Sequence, residues 1–262
     1  MGVERDPSRL SGHVVVCNVN DKVCAIVDQL RNDPLAGVVD VVLIVQDAKL
    51  WSSNPSWHPS ESGDGAVLTV FGCPAENDVL RRASISRARA AIILADPAHG
   101  ALADARSALI GISIERENPQ VHTVMELLLS VNRSHLRATA VDEVVCVGEL
   151  SEKLLSQSVV NPGVSKLFAH LLTSKPGTGQ LVTRPVPSDL CGLSYREIAR
   201  RAIRRGVPFV VCGFVREGGH AKGRVIVVNP RVNTDPGKDS ILVSGDELIL
   251  LCCCNPDVAS LR

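Results

Sequence analysis

One short run constrains this chain more than any other: Gly12-His13-Val14-Val15-Val16-Cys17-Asn18-Val19-Asn20. An apolar strand stops abruptly in short polar residues, and Val23, Ile26, Val27 and Leu30 follow at helical spacing. A strand, a tight turn and a helix in that order open a βαβ unit of the dinucleotide type. The glycines that let a backbone press against a pyrophosphate are missing, and Asn18 and Asn20 stand in their place. The run therefore points to the fold more strongly than to hydride transfer, and to a module that senses.

Strand and helix patterns alternate from residue 13 to about residue 147. Strands are predicted at His13–Cys17, Val38–Val45, Ala66–Phe71, Ala90–Ala95, Val121–Met125 and Glu143–Val147. Helices are predicted at Asp21–Arg31, Ala75–Ser84, Ala101–Glu115 and, shorter, near Asn132–Ala138. Elements of this length in alternation imply an α/β fold, a Rossmann-like doubly wound parallel sheet with right-handed crossovers and strand order 3-2-1-4-5-6. The apolar residues are mainly Val, Leu, Ala and Ile, and aromatics make up 3% of the chain. That composition suits parallel strands buried on both faces. The Pro-, Ser- and Gly-rich stretch Trp51–Gly65 interrupts the rhythm and reads as an exposed loop after the second strand.

Two helical segments follow, Ser151–Val160 and Pro162–Thr173, broken at Asn161-Pro162-Gly163. Leu154, Leu155, Val159, Val164, Leu167, Phe168, Leu171 and Leu172 give this crossing hairpin much apolar surface, for its own sheet or for another subunit. Ser174-Lys175-Pro176-Gly177-Thr178-Gly179 is a linker. Beyond it the pattern is that of a smaller α+β domain. Strands are predicted at Leu181–Thr183, Val207–Val215, Arg224–Val228 and Glu247–Cys252, with a helix at Ser194–Arg205 opened by the capping box Ser194-Tyr195-Arg196-Glu197. On that helix Ile198, Ala202 and Ile203 are expected opposite the basic cluster Arg200-Arg201 and Arg204-Arg205, which reads as a solvated face or a contact for an anion or an acidic partner. The predicted division is 12–150, 151–174 and 179–254.

Composition removes several functional classes. Basic and acidic residues balance at 28 each, and no basic stripe is interleaved with aromatics, so nucleic acid is not an expected partner. No run approaches the roughly 20 apolar residues that cross a bilayer, and Met1-Gly2-Val3-Glu4-Arg5-Asp6 lacks the apolar stretch of a signal peptide. The nine cysteines form no C-x-x-C pair, which suits reduced thiols in a cytosolic protein. His99, His122, His135 and His170 show no metal-ligand spacing. No nucleophile elbow, zincin helix or P-loop is present, so no catalytic residue is assigned.

Several stretches resemble the RCK domain, the regulator of potassium conductance whose soluble relatives are the Trk and Ktr potassium-transport regulators. His13-Val14-Val15-Val16-Cys17-Asn18 resembles the family's first strand and turn. Val70-Phe71-Gly72-Cys73-Pro74 resembles its Gly-Asp-Pro turn, with Cys73 in place of Asp, and Ser86-Arg87-Ala88-Arg89-Ala90-Ala91-Ile92-Ile93 resembles the approach to the fourth strand. Ser188-Asp189-Leu190-Cys191-Gly192-Leu193-Ser194 and Ser244-Gly245-Asp246-Glu247-Leu248-Ile249 look like its C-terminal subdomain. The resemblance implies a cytoplasmic regulatory module at the cytosolic face of the membrane. It would be a homo-oligomer, dimeric through the helical hairpin and assembled into an octameric ring on the membrane domain of a potassium channel. A soluble transporter subunit is the alternative, followed by a nucleotide-dependent oxidoreductase.

In open α/β sheets the ligand crevice lies beyond the carboxyl ends of the strands. That rule gathers Asn18, Val19, Asn20, Asp47, Gly72, Cys73, Asp96 and Glu126 around one cleft. Asp47 ends the second strand, where a carboxylate accepts hydrogen bonds from ribose hydroxyls. Side chains at Asn18 and Asn20 would crowd a pyrophosphate, which favours an adenine nucleotide over intact NAD. Free N–H groups at the start of the first helix remain available to an anion. Asp96 and Glu126 end the fourth and fifth strands, and in calcium-gated members of the family carboxylates occupy matching strand ends. Calcium or another divalent cation is therefore expected at this pair, although Leu128 stands where the family places a further acidic ligand.

Overall fold

The computed structural model describes residues 6–60, 64–139, 141–175, 177–217, 224–230 and 241–261. Met1–Arg5, Pro176 of the predicted linker and residues 61–63 of the predicted loop lie outside them. The chain divides into two compact units, residues 1–165 and 166–262.

The first unit alternates as the sequence predicts. Its elements are β1 (Val14–Cys17), α1 (Val23–Arg31), β2 (Val41–Val45), α2 (Ala48–Ser53), β3 (Val67–Phe71), α3 (Asn77–Arg82), β4 (Ala90–Ile93), α4 (Ala103–Glu117), β5 (His122–Leu127) and β6 (Glu143–Cys146). The six strands form one sheet in the order β3-β2-β1-β4-β5-β6, every pair parallel. All residues of β1 and β2 are buried, as central strands with helices on both faces must be. Alternate residues feed two cores. Val15, Val42 and Ile44 meet Val79 and Leu80 of α3 and Ile110 and Ile114 of α4. Val14, Val16 and Leu43 meet Val23 and Val27 of α1.

The stretch expected as a loop after β2 is instead partly helical: α2, then a 3-10 turn at Pro55–Trp57. Asp47 starts α2 as its N-cap, accepting from the N–H groups of Lys49 (2.8 Å) and Leu50 (2.9 Å). Trp51 and Trp57 pack against the α1-side core, and the ring of Trp51 stacks on His58 at 4.2 Å. The return to β3 is clamped by the buried Arg31. Its guanidinium donates to the carbonyls of Ser60 (2.7 Å), Asp64 (3.0 Å) and Gly65 (3.2 Å). Gly65 has φ +86°, and a Cβ there would lie 2.2 Å from the Val39 carbonyl oxygen, so only glycine fits. The helix predicted near Asn132–Ala138 is a 3-10 helix, Ser130–Ala138.

After β6 come α5 (Val147–Val160) and α6 (Val164–Leu171), the latter holding the boundary between the units. The second unit contains β7 (Gln180–Pro185), α7 (Tyr195–Arg205), β8 (Phe209–Glu217), β9 (Arg224–Val228) and β10 (Glu247–Cys252). Its sheet is antiparallel in the order β7-β10-β8-β9. The first family-like motif of this unit meets the segment just before the second through paired backbone bonds, Gly192 N to Leu242 O (2.8 Å) and Leu242 N to Leu193 O (3.0 Å). Asp246 accepts both arms of Arg216, at 2.8 and 2.6 Å. Ser194 caps α7 by accepting from Glu197 N, and Gly206 ends it at φ +61°. Ile198 and Ala202 are buried, but Ile203 is 81% exposed, against expectation. Five residues at about 100° each carry Ile203 well away from the face of Ile198.

His13, at the foot of β1, is buried, and its Nε2 lies 2.9 Å from the Ala83 carbonyl oxygen. Burial holds its pKa below the ordinary value, although the Ala83 carbonyl and the Asp40 charge act in the opposite direction. The folded chain therefore prefers neutral His13 while the unfolded chain protonates near pH 6.5. Stability from this group is full above about pH 6.5 and declines as pH falls towards the lower folded-state value. Chemical denaturation at pH 7.5 and 5.5 is expected to show a smaller pH-dependent loss in His13→Leu than in the unmodified chain.

Candidate functional site

The carboxyl ends of β1, β2 and β4 open onto a cleft of about 560 Å³. Asn18 and Val19 come from the turn after β1, Asp47 and Lys49 from the start of α2, and Asp96 and His99 from the segment after β4. Trp57 adds an aromatic wall. Volume and lining suit a small organic ligand with a few polar groups.

Each segment is fixed before any ligand arrives. Asn18 holds φ +60°, the left-handed conformation that a glycine would adopt without strain and that Asn tolerates. Its side-chain amide donates to Leu94 O (3.0 Å), and that of Asn20 donates to Ala95 O (3.0 Å). Both side chains thus stitch the β1 turn to the end of β4. Asn20 also takes two N–H groups at the start of α1: Lys22 N through its side-chain oxygen (3.0 Å) and Val23 N through its carbonyl (3.1 Å). These are groups the sequence left open for an anion. Asp96 caps the 3-10 helix Pro97–Leu102 by accepting from Ala98 N at 3.0 Å, and its other oxygen lies 2.8 Å from His99 Nδ1.

Glu126 occupies a different setting. It is buried at the end of β5, accepts from Ala95 N (3.1 Å) and is paired with the Lys22 ammonium. It does not line the cleft that Asp96 lines, and one of its oxygens already faces a cation. Among the described residues no group of three or more His, Cys, Asp or Glu is arranged to hold a metal ion. At Leu128 the backbone N–H is bound by Asp104 (2.8 Å), as are Leu129 N (3.1 Å) and Asn132 Nδ2 (2.7 Å). Asp104 is a buried carboxylate satisfied by three donors, which sets the loop beyond β5.

Gly72 and Cys73 are also outside the cleft lining. Gly72 lies beneath α3, where a Cβ would come within 2.5 Å of Val79 Cγ2, and the Arg82 guanidinium donates to the neighbouring Phe71 O (2.8 Å). The sequence thus brings Asn18, Val19, Asp47 and Asp96 to one cavity and leaves Asn20, Gly72, Cys73 and Glu126 behind its walls. It gave no sign of Lys22, Lys49 or Asp104, and it read Trp57 as part of an exposed loop and His99 as no ligand. Cys17, next to the turn, is no nucleophile at neutral pH, because burial pushes its pKa up to about 12.

Residues 9–125 match the family model for the calcium-activated potassium channel slowpoke-like RCK domain. The calcium-gated potassium channel TvoK of Thermoplasma volcanium is 29% identical over 169 residues, 63% of this chain and 45% of that one. The probable ion channel POLLUX of Arabidopsis thaliana is 22% identical over 247 residues, 92% of this chain and 28% of that one. The human SLO3 gating ring shares the fold at TM-score 0.62 and 16% identity, over 95% of this chain and 45% of that one. The fold and its strand-end cleft are those of a Rossmann-like module. The similarity to the slowpoke-like RCK domain covers residues 9–125, less than half of the chain. The chain spans less than half the length of the relatives named above.

Replacing Lys22 with Met is expected to leave Glu126 as a buried carboxylate without its counter-ion. Because Lys22 is itself 42% exposed, the loss is expected at about 1–3 kcal/mol rather than more. Thermal unfolding measures it, and millimolar calcium should restore part of the loss in Lys22→Met while leaving the unmodified chain unchanged.

Proposed function

We propose that this chain is a cytosolic, ligand-sensing regulatory domain of the gating-ring type, controlling a potassium channel pore, and that it is not an enzyme. One observation carries the reading. The cleft is built from three separate chain segments, each capped or tied by its own polar side chain, and its lining includes no Ser, Thr, Cys or Tyr. A ligand bridging those segments changes their mutual position without needing to react. The names of TvoK and POLLUX as channels favour the same role. No helix among the described residues is long and apolar enough to cross a membrane, so the pore belongs to another segment or subunit.

The ligand in this reading is an adenine nucleotide. Trp57 offers a stacking surface, and Asp47 keeps one carboxylate oxygen beyond those used in its cap. Intact NAD is disfavoured, because the N–H groups of Lys22 and Val23 are already bound by Asn20. A divalent cation at Asp96 and Glu126 enters only in exchange for the Lys22 ammonium.

Dimerisation runs through α5 and α6. Neither helix has a buried residue, and Leu155, Val159, Leu167 and Phe168 are all about half exposed or more. Helices of 14 and 8 residues gain most of their stability from packing, so a second copy covers them, within a ring of domains.

Isothermal titration with AMP, ADP, NAD and calcium tests the ligand. Asp47→Asn keeps the helix cap and is expected to weaken AMP or ADP binding about tenfold, the scale of one charge-assisted hydrogen bond. In the Lys22→Met chain, Asp96→Asn is expected to weaken any calcium response with the fold intact. Turnover of a metabolite by a bound nicotinamide would overturn the proposal. Sedimentation of Leu155→Glu/Leu167→Glu is expected to show monomers, and unchanged association would place the interface elsewhere.

A further inference from the structure

Three consecutive cysteines, Cys252-Cys253-Cys254, stand at the end of the last strand of the second unit. In a continuous strand their side chains would alternate between faces and stay apart. β10 stops at Cys252, however, and residues 253 and 254 form a bend. Cys252 is buried, Cys253 and Cys254 are exposed, and all three are free thiols. Through the bend the Cys254 N–H faces the Cys252 sulfur, where it favours a thiolate. A buried thiol and an exposed one, two residues apart, are thereby brought together.

The surroundings suit thiol chemistry. Cys252 stands directly opposite Phe209 of β8 on one side and Gln180 of β7 on the other. Residues opposed in this way put their side chains on the same face. Gln180 is 7% exposed, and its Nε2 has no hydrogen-bond partner among the described residues. A buried amide N–H left unpaired is destabilising, and folded chains rarely keep one without a role for it. A neutral thiol is a weak acceptor, whereas hydrogen bonds to ionised groups are the stronger kind. Arg184 adds a positive charge: its guanidinium donates to Asn255 Oδ1 (3.0 Å), next in sequence to Cys254. Burial is the largest influence on Cys252 and pushes its pKa up, against Arg184 and the Cys254 N–H. The resting chain therefore holds this thiol protonated, with donors in place for the ionised form.

We propose that Cys254 and Cys252 form a peroxide-responsive dithiol, in which exposed Cys254 reacts first and buried Cys252 closes the disulfide. The Cys254 thiolate attacks one oxygen of hydrogen peroxide. The S–O bond forms, the O–O bond breaks, and the departing hydroxide becomes water with the proton the thiol released. The sulfur is now oxidised to a sulfenic acid and the peroxide is reduced. Cys252 then attacks the Cys254 sulfur. The S–S bond forms, the S–O bond breaks, and the leaving hydroxide takes the Cys252 proton as a second water. Two thiols and one peroxide give one disulfide and two waters. The Cys254 N–H and the Gln180 amide stabilise the Cys252 thiolate as it attacks. Cys253 takes no part. Consecutive Cα atoms lie about 3.8 Å apart, short of the roughly 4.4–6.8 Å that an unstrained disulfide spans. The site belongs to the second unit and does not depend on the ligand assigned to the cleft of the first.

Peptide mapping of the full chain provides the test. Trypsin releases residues 239–262 as one peptide that carries these three cysteines and no others. The chain is treated with hydrogen peroxide, then unfolded and alkylated with N-ethylmaleimide before digestion. This peptide is expected to lack two hydrogens and to carry a single label, on Cys253. Dithiothreitol added before alkylation should restore labels on all three cysteines. Cys253→Ser is expected to close the same disulfide, and Cys254→Ser to leave Cys252 a free thiol. Both change exposed residues, so the core is untouched. Gln180→Met, which keeps the side chain's length without its N–H, is expected to close about tenfold more slowly, the scale of one charge-assisted hydrogen bond. Dimedone should then trap the sulfenic acid on Cys254. Labels on all three cysteines after peroxide, or a single label on Cys252 or Cys254, would overturn the pairing. So would a disulfide formed by Cys252 in Cys254→Ser. Closure of Gln180→Met at the unmodified rate would overturn the role given to the amide.

Discussion

A single buried carboxylate organises the ligand end of the first sheet. Glu126 projects from the end of β5, binds the Ala95 N–H at the end of β4 and holds Lys22 at the mouth of α1. Asn18 and Asn20 close the same circuit from the other side by donating to Leu94 and Ala95 carbonyls. Three strand ends from distant parts of the chain are thereby set in fixed register before any ligand binds. A charge buried this deeply is tolerated only when paired and hydrogen-bonded, and Glu126 has both an ammonium and an amide N–H. The arrangement also means that the turn after β1 holds its shape through side chains, where a dinucleotide-binding turn relies on glycine and a bound phosphate.

That difference sets the chemistry open to the cleft. A turn held by Asn18 and Asn20 has the Lys22 and Val23 N–H groups already bound, and Asn20 acts at α1 much as an anion would. Polar capacity for a ligand lies instead towards α2 and the segment after β4, with Asp47, Lys49, Asp96 and His99. Asp47 and Asp96 both serve as helix caps, so a ligand that engages either acts on the start of the following helical segment. In the proposed reading, binding energy used in this way would move an element, which is what a sensor needs and a hydride-transfer site does not.

Most of the fold was legible in the sequence because the signals were local. Uninterrupted Val and Ile runs marked β1 and β2 as buried on both faces, and six strands alternating with helices left one common sheet order. The stretch after β2 was read as loop because its Ser, Pro and Trp residues lack periodicity. It becomes ordered through Asp47, a cap that acts across three residues, and through Arg31, a clamp that reaches across more than 30. The site was half legible for the same reason. Strand ends are predictable, so Asn18, Asp47 and Asp96 could be named. The pairing of Lys22 with Glu126, 104 residues apart, depends on tertiary placement that no spacing rule contains. Ile203 shows the converse error, where an apolar residue was assigned inward although its helical angle turns it out.

The same distinction separates the two kinds of surface this chain presents. Apolar side chains on α5 and α6 can pack against any complementary apolar surface, and in the proposed dimer they would hold subunits together without strongly fixing which faces meet. Charge patterns discriminate, because a like-charge approach is penalised as strongly as the matched one is favoured. A regulatory assembly needs both properties, adhesion that survives ionic strength and an orientation that a small change at one cleft can bias.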